Sequence, residues 1–462
     1  MRDTRRGCSQ QELFPSSKRP TIAVEENHRL VRLADEIDWT QLGIAAQKIR
    51  SSKLKNTAGR PPHLRALLGA MVLRATRYMP YRSLEDQIRH YAPARYLCGL
   101  TETHWSPDHN TLHDFFKLMG EEGTRLVNEL VVVRAVKEGL ADPSGLSADT
   151  TAQEGAIPYP NEMGLMAAFI SSVAGASKVA GKIFKQLASK AAVTFKAAKQ
   201  KAREYRLFAK TSELKNKTMA EMADIVAKVQ RQLGAAIKTA KSQTARVTKH
   251  GKVARAKIIE LHETMAKLLP QIRHWLKTGR VASGKVVSLH IPELYSIVRG
   301  KIGKSVEFGL TWGIRRLRGG FLLATVAESK HDLQDTRFAT KAVEEHISLF
   351  GKPPEEYAYD RGGWSKDNVA KLKKKGVKEV GLAPRGAAEW RVTGATKKRL
   401  VSERAQVEGG IGTIKHKKYG FNRPAARSAQ MMGACGQLAV LGFNLNKLVR
   451  ELAKREEIEL VG

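Results

Sequence analysis

Apolar positions along this chain recur first at helical spacing and then, beyond residue 140, partly at strand spacing. A short amphipathic stretch runs near Glu26–Ile49, and Ser51–Pro62 reads as a linker. Over His63–Arg77, Leu64, Leu67, Leu68, Met71 and Val72 fall at i, i+3, i+4, i+7 and i+8, one buried helix face. Ser83 is the expected cap of a following helix with Asp86 in its first turn, and Trp105–Leu112 breaks the pattern before a helix over roughly Thr111–Lys137. At Ser144–Glu154, turn residues lead into a short strand expected to end at Asp149, Thr150 and Thr151, closed off by Pro158 and Pro160. From Glu162 to Gly279 the chain reads as almost continuous helix. Its large apolar residues are few, so it resembles a long hairpin or helical excursion rather than a core.

After Pro292 the character turns to β. Ser305–Trp312 and Gly319–Ala327 are predicted strands, joined as a hairpin around Arg315, Arg316 and Arg318. A helix at Thr340–Phe350 precedes a short strand, Glu356–Asp360, and the Arg361-Gly-Gly turn. A helix capped by Ser365 runs to Lys375, a strand covers Val377–Leu382, and helices follow at Glu403–Lys415 and Ala425–Lys454. This order predicts an α/β fold with a mixed sheet, since the hairpin forms one antiparallel pair.

Composition adds a partner. The 462 residues carry a formal charge of +35, which calls for a polyanion, with nucleic acid the leading class. No apolar run approaches the roughly 18 residues needed to span a bilayer. Cys8, Cys98 and Cys435 are far apart with no CxxC pair, which supports neither a disulfide framework nor a zinc site and fits a reducing cytosol. The basic start, Met1–Arg6, leads into no apolar signal segment. Between Lys178 and Lys257, 21 Lys/Arg face only 4 acids, a surplus suited to phosphate contacts without base specificity; a solvated helix face is the bland alternative. The short Arg-bearing helices after residue 60 read equally as a helix-turn-helix type DNA reader or as plain support.

Candidate chemistry centres on Val401–Lys415. As a helix, this stretch places Arg404, Glu408 and Lys415 on nearly one face. Asp149 and Asp360 fall at predicted strand ends. Three converging carboxylates repel one another unless cations neutralise them, and Mg²⁺ is the natural guest. Two such ions about 4 Å apart serve phosphodiester chemistry. Each acid alone reads as an ordinary turn or surface residue; the combination gives the pattern its meaning. Glu403 is the rival third acid, but it lies more than a quarter-turn from the Arg–Lys face. Trp364 is assigned either to stacking on a displaced base or to core packing. Gly279–Lys285 has P-loop spacing, but Val286 replaces the metal-binding hydroxyl, and His262-Glu263 lacks the second histidine of a zinc protease motif.

Ser147-Ala-Asp-Thr-Thr-Ala-Gln-Glu-Gly-Ala-Ile-Pro-Tyr-Pro, Val306-Glu-Phe-Gly-Leu and Ala358-Tyr-Asp-Arg-Gly-Gly-Trp resemble segments of the RNase H-like DDE transposases of bacterial insertion sequences. Arg404, Glu408 and Lys415 match the last two spacings of a Tyr-Arg-Glu-Lys signature, with Val401 where the tyrosine would stand. The resemblance runs from about His63 to Asn446. It implies an RNase H-like mixed sheet flanked by helices, an N-terminal helical domain and a long basic helical insertion after the first strand. The implied divisions are an arm and linker over 1–60, a DNA-binding helical domain over 61–140, a catalytic domain over 141–424 interrupted by 162–290, and a C-terminal helix over 425–462. Asp149, Asp360 and Glu408 would hold two Mg²⁺ ions, with Mn²⁺ as the substitute, while Arg404, Lys415 and Trp364 would contact DNA. The implied activity is cleavage at terminal inverted repeats and strand transfer to target DNA by a homodimer or larger assembly in the bacterial cytoplasm. A non-catalytic DNA-binding relative and a simple metal-dependent nuclease are the alternatives.

Overall fold

The computed structural model describes residues 24–54, 62–242, 247–301, 304–384, 390 and 392–461. Met1–Arg6, Cys8 and most of the expected linker lie outside them, and Ser51–Lys53 end a helix instead of opening the linker.

Six helices come first: α1 (Arg29–Glu36), α2 (Trp39–Lys53), α3 (Leu64–Thr76), α4 (Tyr81–His90), α5 (Ala92–Leu97) and α6 (His109–Lys137). The first strand, β1 (Asp142–Glu154), leads to α7 (Glu162–Ser177), α8 (Lys182–Lys190), α9 (Ala192–Leu207), α10 (Ser212–Ser242) and α11 (Lys249–Thr278). Three strands follow, β2 (Tyr295–Lys301), β3 (Lys304–Arg318) and β4 (Leu322–Val326), and then α12 (Asp335–Phe350). The chain finishes with β5 (Glu356–Tyr359), α13 (Lys366–Lys374), β6 (Glu379–Leu382), α14 (Gly394–Ile414) and α15 (Ala429–Val461).

The fold is α/β, with one six-stranded mixed sheet in the order β2-β3-β1-β5-β6, and β4 also paired with β3. The β1–β5 and β5–β6 pairs are parallel, whereas β2–β3 and β3–β4 are antiparallel. The chain divides into two units, Met1–Ala156 with Leu310–Gly462, and Ile157–Gly309.

In the first unit, local chemistry sets several helix starts. Nδ1 of His63 accepts from the Ala66 amide, and Asp108 accepts from the Asn110 and Thr111 amides at 2.8 and 2.9 Å. Ser83 is not a cap: α4 starts at Tyr81 behind Pro80, whose φ of −59° suits helix entry and which has no amide to satisfy. Helices α1–α6, strands β1 and β3–β6, and α15 share one core, in which Leu33, Leu68, Val127, Leu146, Tyr357 and Leu438 are all buried.

The predicted hairpin is displaced. Arg315, Arg316 and Arg318 lie inside β3, and the turn is Gly319–Gly320, with φ of 92° and 91°. Burial explains the difference, since Arg315 and Arg316 are only 3% and 8% exposed and each meets an acid from a distant segment, Glu345 and Glu403. The first strand also runs past Asp149 to Glu154, where Gln153 accepts from Trp312 Nε1 at 3.0 Å and donates to the Met432 carbonyl at 2.9 Å.

The second unit corrects the expectation of a coreless excursion. Helices α7–α11 enclose their own core, including Phe169, Phe184, Met222, Leu233, Leu261 and Met265. Alanine fills the space between these larger side chains, so few of them suffice. The Gly279–Lys285 stretch is loop: Gly279 caps α11, and Lys285 pairs with Glu162 at 2.6 Å.

Candidate functional site

The parallel register of β1 and β5 places the two aspartates. Ser147 pairs with Ala358, and two residues further on each strand stand Asp149 and Asp360, on the same face by the period of two. Neighbouring strands lie about 4.8 Å apart, so the register carries both aspartates to the same end of the β1–β5 pair. Each accepts the amide of the next residue at 2.7 Å, from Thr150 and Arg361 respectively. Asp149 stands within β1 rather than at its end, yet just beyond the last pair of the β1–β5 ladder, Ser147 with Ala358. Asp360 leaves β5 with φ −68° and ψ 158° and caps the single turn Arg361–Gly363.

A further carboxylate contacts the residues next to these two, Thr150 and Tyr359, whose side chains alternate to the other face of the sheet. Asp335, in the first turn of α12, accepts from Thr150 Oγ1 at 2.9 Å and from the Tyr359 hydroxyl at 3.3 Å. A Cβ on Gly362 would stand 2.6 Å from Asp335 Oδ2, which explains a glycine there. An acid in the first turn of a helix is a common helix-start feature, so the sequence held no distinctive signal for it. Burial, and then the charge of Asp335, holds the Tyr359 hydroxyl well above its ordinary range, so this residue donates its proton in a hydrogen bond and does not ionise.

The third acid arrives on α14, whose rotation is fixed by charge pairs. Arg399 donates from Nε to Glu356 Oε2 at 2.8 Å and from its terminal nitrogen to Oε1. Arg318 reaches the same carboxylate at 2.7 Å, and the Arg399 bonds lead in holding Glu356 below the usual carboxylate range. One turn on, Glu403 pairs with Arg316, which also donates to Gln406. Residues 399, 403 and 406 thus fasten one face of α14 to β3 and β5. The neighbouring face carries Arg404 and Glu408. Arg404 lies 3.5 Å from Asp360 and 3.3 Å from Glu408, a guanidinium bridging two of the three carboxylates. The pairing of Glu403 with a nearly buried arginine gives it a structural role and leaves Glu408, 56% exposed, as the acid turned outward.

Lys415 forms the C-cap of α14 and is half-buried, and Trp364 packs half-buried against the main core. Directly after Glu408 come Gly409, Gly410 and Gly412. Gly410 lets the helix approach Leu322, with a Cβ there 3.3 Å from Leu322 Cδ2, whereas Gly409 and Gly412 face open space.

Among the described residues, no group of three or more His, Cys, Asp or Glu is placed to hold a metal ion. The chemistry of the set nevertheless suits a hard divalent cation: carboxylate oxygens only, on side chains that water can reach. Among the described residues, no helix is long and apolar enough to cross a membrane.

Residues 20–118 match a family model described as Transposase domain (DUF772). This segment is similar to a transposase domain. It takes in α1–α5 and the start of α6. The transposase-domain match ends before β1, so none of the three acids falls within it. No curated protein and no solved structure matches the chain.

Proposed function

We propose that this protein is a DNA transposase of the DDE type, with an RNase H-like core, in which Asp149, Asp360 and Glu408 form a divalent-metal site for DNA cleavage and strand transfer. The observation that carries the reading is the Arg404 bridge from Asp360 to Glu408, at the end of the β1–β5 pair toward which Asp149 also runs. The transposase-domain match at residues 20–118 and the strand order β4-β3-β1-β5-β6 support it.

Mg²⁺ or Mn²⁺ bound by the three carboxylates would activate the attacking water or 3′-hydroxyl and stabilise the leaving oxygen. The chain's own part is positioning. The strand register brings two acids to the same end of the β1–β5 pair, and the Arg399–Glu356 and Glu403–Arg316 pairs set the rotation that presents the third. Arg404, released from the carboxylates it bridges, offers a planar fork to a phosphate near the cut. Lys415, the C-cap of α14, adds a second positive charge. Handling two element ends together requires at least two copies of the chain on DNA.

The test uses linear DNA bearing the terminal inverted repeats that bound the gene. Wild type is expected to nick and join ends with Mg²⁺ and to do neither in EDTA. Asp149→Ala, Asp360→Ala and Glu408→Ala should each reduce cleavage by about a thousandfold, the scale of losing a principal electrostatic stabiliser. Cleavage that survives all three changes overturns the assignment. Cuts without joined products point to a nuclease, and binding without cuts to a non-catalytic DNA-binding protein.

A further inference from the structure

The charge surplus of the Ile157–Gly309 unit is uneven. From Lys182 to Lys210 the sequence has nine Lys/Arg and one acid, Glu204, which is already paired with Lys201 at 2.7 Å. Helix α10 has six cations and three acids, and α11 seven and two. Several of those cations are neutralised locally, as in Lys257–Glu260 and Arg273–Asp224.

On α9, Lys196, Lys199, Arg203 and Arg206 follow at spacings of three, four and three, so they form one stripe. All four are exposed, while Phe195, Ala198 and Ala202 on the adjoining face are buried. On α8, Lys182 and Lys185 are likewise exposed, with Phe184 turned into the core. None of these six cations has a carboxylate partner among the described residues.

We propose that the exposed cation stripe of α9 is a docking surface for the phosphodiester backbone of duplex DNA, independent of base sequence. This rests on the reading of DNA as the protein's partner and assigns the contact to one face of the basic unit. Four cations over ten residues of helix span roughly 15 Å, and a duplex presents a negative charge about every 1.7 Å of its axis. The stripe therefore faces more phosphates than it has cations. Lysine and arginine directed at phosphates position DNA without reading its sequence. The packed core of the unit holds the stripe as a rigid row.

The test uses the full-length chain carrying Lys196→Gln, Lys199→Gln, Arg203→Gln and Arg206→Gln together. Affinity for two duplexes of unrelated sequence is measured by fluorescence anisotropy in EDTA between 50 and 200 mM salt. The slope of log K against log salt should become shallower by roughly three to four, with the same affinity loss on both duplexes. A charge-conserving set, Lys196→Arg, Lys199→Arg, Arg203→Lys and Arg206→Lys, should keep the wild-type slope. Wild-type DNA binding with an unchanged slope in the Gln set overturns this surface while leaving the proposed function standing. No DNA binding by the wild-type chain overturns both. Loss of binding to phosphatidylserine vesicles in the Gln set, with the DNA slope unchanged, reassigns the stripe to a lipid surface and overturns the proposal.

Discussion

Two helices of this chain, α14 and α9, carry arginine and lysine on their surfaces and use them in opposite ways. On α14, Arg399 and Arg404 both reach carboxylates, and Glu403 serves the arginines of β3. On α9, Lys196, Lys199, Arg203 and Arg206 have no carboxylate partner among the described residues. Paired charge orients: it fixes a rotation and holds a side chain in place. Unpaired charge repels its own kind and lowers its energy only when an external anion arrives. A total of +35 therefore conceals one region that is electrostatically closed and another that is open.

The sharpest way to break this comparison is to open the closed region. Glu403→Ala leaves Arg316, 8% exposed, without its acid, and should destabilise the protein by about 3 kcal/mol or more. Glu408→Ala should leave thermal stability nearly unchanged, and equal melting shifts for the two would remove the distinction between them. Next in size, Leu261→Ala within α11 should lower unfolding free energy in urea by about 2–5 kcal/mol, because that side chain is fully buried in the second unit's core. A loss under about 1 kcal/mol would mean that nothing rigid supports the α9 stripe.

Burial handles charge in a third way at His346 on α12. Its ring is fully buried, and burial first, then the Arg315 guanidinium, lowers its pKa to about 4. The unfolded chain takes up this proton near pH 6.5 and the folded chain only near 4, so stability should fall as pH drops between those values. The expected contribution is about 3 kcal/mol at most, and His346→Leu should flatten that part of a denaturation-versus-pH curve. The smallest effect on stability belongs to Arg404→Gln. A pair whose members are 40% and 44% exposed contributes less than about 1 kcal/mol, although cleavage should suffer much more than melting temperature.

Much of this arrangement was readable in the sequence. The α3 periodicity and the Ser365 cap rest on contacts within a few residues, where spacing carries the information. The Arg–Glu face of α14 was legible for the same reason. Partners remote in sequence were not. Three arginines together looked like a turn, because nothing near them announces that Glu345 and Glu403 will bury two of them in a strand. The core of the second unit was missed because Ala- and Lys-rich helices look solvated one at a time. Only their mutual packing joins Phe184, Leu233 and Met265. Asp335 escaped notice because its meaning lies in Thr150 and Tyr359, which approach it through the fold.

The glycines after Glu408 give α14 two mechanical characters. Upstream, Leu400, Glu403 and Val407 fasten it by burial and charge. Downstream, glycine at 409, 410 and 412 weakens helix by about 1 kcal/mol per position relative to alanine, and Thr413 Oγ1 competes for the Gly409 carbonyl at 2.9 Å. Amide hydrogens past residue 408 should therefore exchange with solvent sooner than those before it. Glu408 sits at the hinge of that contrast, attached to a fixed support on one side and to a turn able to unwind on the other. The third acid of the proposed site therefore stands on a more easily distorted support than Asp149, which lies within β1.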